Sequence, residues 1–158
     1  MITLAKRAGY CFGVRRAVQM AEDNAAPDNL LYAAGPLIHN RHVIEDLRKG
    51  GIITANSLEE IPDGARVIIR AHGVPPTDIT YLKKKGCTIL DATCPFVKRI
   101  HGLVSSAEEE GRLPIIIGTR AHPEVEGIAG WCSKCLIFEN PEELENWIKT
   151  ANPAPDMP

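Results

Sequence analysis

The chain has 158 residues, room for one ordinary domain or two small ones. Its 44% apolar residues suffice for a packed core and exclude a disordered chain, and a net charge of −2 excludes a broad basic surface for nucleic acid. No apolar run approaches the roughly 18 residues of a membrane span, and the N-terminus lacks the apolar core of a signal peptide.

Strand and helix patterns alternate along almost the whole chain. Residues 2–5 predict a short apolar strand. Residues 14–25 carry apolar side chains at helical spacing, with Arg15 and Arg16 on the first turn. Residues 30–33 predict a buried strand closed by the turn Gly35-Pro36. Residues 40–49 predict a helix with Val43, Ile44 and Leu47 on one face and Gly50-Gly51 as its stop. A short strand at 52–54 and a helical turn at 58–61 follow. Residues 66–70 (RVIIR) predict a strand, and 76–85 a helix with proline near its start and Gly86 past its end. Residues 88–90 are a further strand and 96–110 a long helix. That helix ends in the acidic run Glu108, Glu109, Glu110, which opposes the helix dipole and has no functional assignment. Then come a strand at 114–118, a short helix at 123–130, a strand at 136–138 and a last helix at 142–149. The tail 151–158 (ANPAPDMP) is rich in proline and cannot continue a helix. The βαβα alternation, with strands apolar on both sides, implies parallel sheets covered by helices, an α/β fold. The strand–turn–histidine pattern recurs, so similar α/β modules are expected side by side.

The reactive residues gather at one kind of place. Cys11 (GYCFG) is expected just past the first strand, His39 (GPLIHN) past the second, and His72 (RAHGV) past RVIIR. Cys94 (DATCP) follows the strand TIL, and His122 and Glu124 (RAHPEV) follow PIIIG. Parallel α/β sheets bind ligands outside the carboxyl ends of their strands. Singly, such a cysteine reads as a small buried residue and such a histidine as a cap or surface residue, as His42 and His101 do. Together they read as part of a metal-and-anion site. A thiolate is favoured at a helix start beside positive charge, and Cys11 precedes a helix opening with Arg15 and Arg16. Histidines and helix-start amides suit a phosphate or diphosphate without net positive charge. Glu124 is placed to donate or relay a proton in a partly desolvated site, the bland reading being a helix-start carboxylate.

Weaker signals remain. An odd count of five cysteines argues against a disulfide framework and for a reducing, cytosolic compartment. Cys87 opens a strand and reads as core. Cys132 and Cys135 form a C-x-x-C that could be a redox pair or half of a zinc site, but no second C-x-x-C exists and the incidental reading is favoured. The standard dinucleotide and P-loop glycine motifs are absent.

The segments GYCFGVRRAV, GPLIHNRHVIEDLRKGG, RAHGVPP, DATCPFV and AHPEVEGIAG, in this order, strongly resemble the LytB family of hydroxymethylbutenyl diphosphate reductases. The resemblance runs from about Ile2 to Phe138. It implies reductive dehydroxylation of an allylic diphosphate to isopentenyl and dimethylallyl diphosphate, the last step of the non-mevalonate isoprenoid pathway. It implies a [4Fe–4S] cluster on three cysteines, Cys11 and Cys94 matching the first two. His39, His72 and His122 match the histidines around the diphosphate, and Glu124 the proton-feeding acid. The implied partners are the substrate and an electron donor such as ferredoxin or flavodoxin, with no nucleic acid and no membrane, in the cytoplasm.

The same resemblance sets an expectation of incompleteness. Family members are about twice this length and built as three similar α/β units. The expected division is 1–93 with Cys11, His39 and His72, then 94–150, a shortened second unit with Cys94, His122 and Glu124, then a flexible tail at 151–158. The third cluster cysteine, and the Ser, Asn and Thr residues that complete the pocket, match no segment here. This chain by itself is then expected to be inactive, with apolar surface left uncovered in its second unit. Two readings of other classes are a non-catalytic metal- or phosphate-binding module, sharpest as zinc on Cys11, Cys94 and a histidine, and a C-x-x-C thiol oxidoreductase.

Overall fold

Short strands of β-branched and small apolar residues build the first sheet. The computed structural model describes residues 2, 3, 5, 6, 8–38 and 40–151. Leu31–Ala34 (β1), Ile52–Ala55 (β2), Arg66–Ile69 (β3) and Thr88–Asp91 (β4) run parallel in the order β2-β1-β3-β4. Tyr32 sits opposite Ile53 on one side and Val67 on the other, and Val67 opposite Ile89. Leu31, Ala33, Val67 and Ile68 are fully buried on the two central strands, which is why those strands show no polar alternation. Helix α1 (Phe12–Asn24) buries Gly13, Ala17, Val18 and Ala21, a narrow stripe of small residues at helical spacing. Ala17, Val18 and Ala21 share one core with Leu31, Ala33, Leu37 and Ile68.

Helix α2 (Arg41–Lys49) starts where Asn40 accepts hydrogen bonds from the amides of His42 and Val43. It ends with Arg48 and Lys49 on the negative end of its dipole. Gly51 has φ +91°, and a Cβ there would stand 2.2 Å from the Ala26 carbonyl oxygen, so only glycine fits. A single 3₁₀ turn, Leu58–Glu60, leads towards β3.

The remaining elements are α3 (Pro76–Lys84), α4 (Pro95–Glu109), β5 (Ile115–Ile117), α5 (Pro123–Ala129), β6 (Leu136–Phe138) and α6 (Pro141–Ala151). Strands β5 and β6 pair in parallel, so β5-α5-β6 repeats the parallel β-α-β step of β1-α2-β2. Asn140 caps α6 by accepting from the Glu143 amide at 2.9 Å. The α/β class expected from the alternation is therefore present, with parallel pairing throughout the described sheets.

Four features depart from the sequence expectations. Ile2, Thr3 and Ala5, the described residues of the expected first strand, are exposed and form no strand. His101 is 3% exposed and not a surface residue; its ring stacks on Trp131 with centroids 4.9 Å apart. Cys87 is only half-buried, its thiol 3.7 Å from the Pro62 carbonyl. The compact units also fall otherwise than at residue 93. One comprises 1–71 with 85–95, the other 72–84 with 96–158. Cys94 therefore groups with Cys11, its amide bonded to the Ala71 carbonyl at 2.9 Å, while His72 groups with His122. The second unit exposes Phe96, Leu103, Ile115 and Ile117.

Burial predicts where the first sheet is vulnerable. Ile68→Ala, which empties a fully buried position, is expected to cost about 2–5 kcal/mol in denaturant unfolding. Leu103→Ser, at a site 60% exposed, is expected to stay within about 0.5 kcal/mol. Equal effects would contradict the placement of the core.

Candidate functional site

Two of the first unit's three cysteines, Cys11 and Cys94, stand at or next to helix starts. Cys11 is the N-cap residue of α1, with extended backbone, and its side chain makes no capping hydrogen bond. It is exposed, and Arg15 N–H donates to its carbonyl at 3.0 Å. Cys94 directly precedes Pro95, the first residue of α4. The Cys94 loop is tied down on several sides. The Asp91 carboxylate accepts from the Thr93 amide at 2.9 Å, and the Cys94 amide continues the β3–β4 ladder to Ala71. Arg16, on the helix that Cys11 caps, donates to the Thr93 and Asp91 carbonyls at 3.4 and 3.5 Å. A Cβ at position 13 would stand 2.7 Å from Cys94 Sγ, so the glycine two residues after Cys11 is what admits the second thiol. From sequence Arg16 is a charge beside a thiol; in the structure it is a brace for the other cysteine's loop.

The second unit brings His72 and His122 together. Their rings meet edge to face, centroids 5.8 Å apart at 84°. His122 is the N-cap residue of α5, and its Nδ1 accepts from the Glu124 amide at 3.2 Å. With Nδ1 accepting that bond, the proton of a neutral His122 ring lies on Nε2. Glu124 lies half-buried on the first turn of the same helix. His39 lies outside the described residues.

The loop leading to His122 has an anchor that sequence spacing did not reveal. The Arg120 amide donates to Glu139 at 2.7 Å, and its guanidinium donates to the Ile137 carbonyl at 3.0 Å and to Glu143 at 2.7 Å. The guanidinium holds the Glu143 carboxyl below the usual carboxylate range. These groups are exposed and the pairing is worth little in stability, but it fixes where the loop leaves β5. The acidic run on α4 also finds a role: Glu108 accepts from both the amide and the hydroxyl of Ser133.

Cys132 and Cys135 do not join either group. Cys132 Sγ donates to the Ala129 carbonyl at 3.5 Å, and burial, with Cys135 and Glu108 adding to it, pushes its pKa up to about 11. At neutral pH it is a protonated thiol, unsuited to nucleophilic attack.

The LytB protein family model matches residues 2–154. The chain belongs to the LytB family. A relative from Clostridioides difficile (strain 630), named 4-hydroxy-3-methylbut-2-enyl diphosphate reductase, is 45% identical over 147 residues, covering 92% of this chain and 53% of the relative. One of the same name from Aquifex aeolicus (strain VF5) is 38% identical over 153 residues, covering 94% of this chain and 53% of its own length. A solved structure of (E)-4-hydroxy-3-methyl-but-2-enyl diphosphate reductase, described as the terminal enzyme of the non-mevalonate pathway, matches with a TM-score of 0.77 at 38% identity, over 94% of this chain and 54% of that one. The structure of the E-1-hydroxy-2-methyl-but-2-enyl-4-diphosphate reductase from Plasmodium falciparum gives a TM-score of 0.81 at 32% identity, over 89% of this chain and 45% of that one. The chain thus spans about half the length of the curated relatives it matches.

LytB proteins are an iron–sulfur family. The donor chemistry of the first unit fits part of such a cluster's ligand set: an exposed thiol not spent on capping, and a second thiol with a glycine-made space beside it. Among the described residues, no group of three or more His, Cys, Asp or Glu side chains stands together to hold a metal ion.

The thiols should separate in reactivity. Iodoacetamide at pH 7.5 is expected to label exposed Cys11 first and Cys132 at least about tenfold more slowly, read by peptide mass mapping. Faster labelling of Cys132 would contradict the account of that site.

Proposed function

We propose that these residues form part of the active site of a 4-hydroxy-3-methylbut-2-enyl diphosphate reductase, which reductively removes the substrate's hydroxyl to give isopentenyl and dimethylallyl diphosphate. The activity belongs, on this reading, to a chain of the relatives' full length. The observation that carries it is the meeting of His72 and His122, with Glu124 on the first turn of the helix that His122 opens, in a chain whose motifs follow the LytB order.

The roles follow from chemistry. His72 and His122, joined by His39, bind the diphosphate through ring N–H donors. The hydrogen bond from the Glu124 amide to His122 Nδ1 keeps the proton on the far nitrogen, where a phosphate oxygen accepts it. Glu124 holds a proton and passes it to the leaving hydroxyl oxygen, which would otherwise depart as hydroxide. Cys11 and Cys94 hold a [4Fe–4S] cluster together with a third cysteine supplied beyond the matched half. When bound, the cluster supplies electrons and a Lewis-acidic iron for breaking the C–O bond. A reduced ferredoxin or flavodoxin is the fitting electron donor. Five free thiols fit a reducing, cytoplasmic setting.

In a cluster-loaded protein of full length, Glu124→Gln is expected to lower kcat by about 10²–10⁴-fold with KM changed only a few-fold. His122→Asn is expected to act mainly on KM. The 158-residue chain reconstituted anaerobically is expected to hold iron and sulfide well short of one cluster and to show no turnover. Near-normal turnover by Glu124→Gln, or full turnover by the 158-residue chain, would overturn this assignment.

A further inference from the structure

His72 and His122 lie fifty positions apart in the chain, and no strand pairing links their segments. What sets their spacing is a packed joint between residues 72–75 and α5 with the turn after it. Two glycines allow the approach. A Cβ on Gly127 would stand 3.3 Å from the His72 carbonyl oxygen, and one on Gly130 would stand 2.5 Å from Pro75 Cβ, closer than a real methyl can come. Next to them, the Trp131 indole N–H donates to the Val74 carbonyl at 3.2 Å, a bond spanning 57 residues. Trp131 is itself fixed from α4. The buried His101 ring stacks on the indole at 17°, and the Ser105 hydroxyl, one turn on, donates to the Trp131 carbonyl at 2.9 Å. Its amide closes the turn on Ile128 at 3.1 Å.

The helix that carries His122 at its start therefore grips, at its end, the backbone that carries His72. We propose that Trp131, seated against Gly130 and Gly127, is a positioning residue that sets the separation of the His72–His122 pair. The inference rests on the reading of that pair as a diphosphate site, because only a fixed spacing lets two ring N–H donors meet oxygens of one bound anion. Trp131 touches neither substrate nor cluster in this account; it acts through Val74.

The test uses the full 158-residue chain with ¹⁵N-labelled histidine, titrated with inorganic pyrophosphate and followed through the ring signals. In the wild type, His72 and His122 are expected to shift together on titration, with a ring–ring proton contact between them. Trp131→Phe keeps an aromatic face for His101 and removes the indole N–H. It is expected to weaken pyrophosphate binding by about threefold to tenfold, the usual effect of one lost hydrogen bond, and to weaken the ring–ring contact with the circular dichroism unchanged. If Trp131→Phe does not fold, Gly130→Ala decides, since its methyl displaces Pro75 while Trp131 remains; the same two losses are expected. Wild-type affinity and an intact ring–ring contact in the variant would overturn the inference while the anion site stands. If the wild-type rings do not respond to pyrophosphate, the diphosphate reading fails, and the ring–ring contact in the variant still decides the positioning claim.

Discussion

The close seating of residues 72–75 on helix α5 is the constraint on which the meeting of His72 and His122 depends. His72 leaves the end of β3, His122 opens α5, and no backbone ladder joins them. Side-chain-free surface at Gly127 and Gly130, together with one long-range hydrogen bond from Trp131, does the joining. Packing of this kind is short-ranged and steep, so a single added methyl group is felt at once. It fixes a geometry that flexible surface pairs could not hold.

The surroundings of Cys11 and Cys94 in the first unit are organised on the same principle. Gly13 leaves room for Cys94, and Arg16 reaches from α1 to two carbonyls of the Cys94 loop. In both places, the residues that offer chemistry are held by neighbours with none: glycines that permit approach and a long side chain that ties a loop by its carbonyls. Cys94, His72 and His122 each follow a strand, where the backbone turns away from the sheet and needs such bracing.

Much of this was legible in the sequence, and the reasons are physical. Buried parallel strands read as short apolar runs, and LYAA, RVII and TILD all lie within a residue or two of where the runs put them. Asn40 and the proline-led starts of α3 and α5 marked helix beginnings because capping is a local event. Cys94, His72, His122 and Glu124 could be singled out because each follows or opens a recognisable element. What stayed hidden depends on distant contacts. The run at 2–5 has strand composition, but its described residues meet no partner. His101 has the polarity of a surface residue but is buried, with its ring stacked on Trp131. Glu108 and Arg120 look like ordinary surface charges until Ser133, Glu139 and Glu143 come round to meet them. The unit boundary, too, is set by which segment packs where and not by chain order, so His72 and Cys94 each fall on the side opposite to a simple cut at residue 93.

The central claim is that the two histidines together receive a diphosphate. A crystal structure of the chain soaked with inorganic pyrophosphate tests it most directly. The account predicts density for the anion within hydrogen-bond distance of Nε2 of His122 and of the His72 ring, with the Glu124 amide still bonded to His122 Nδ1. Pyrophosphate bound elsewhere, or the two rings turned away from each other with His122 Nδ1 facing the anion, would contradict it.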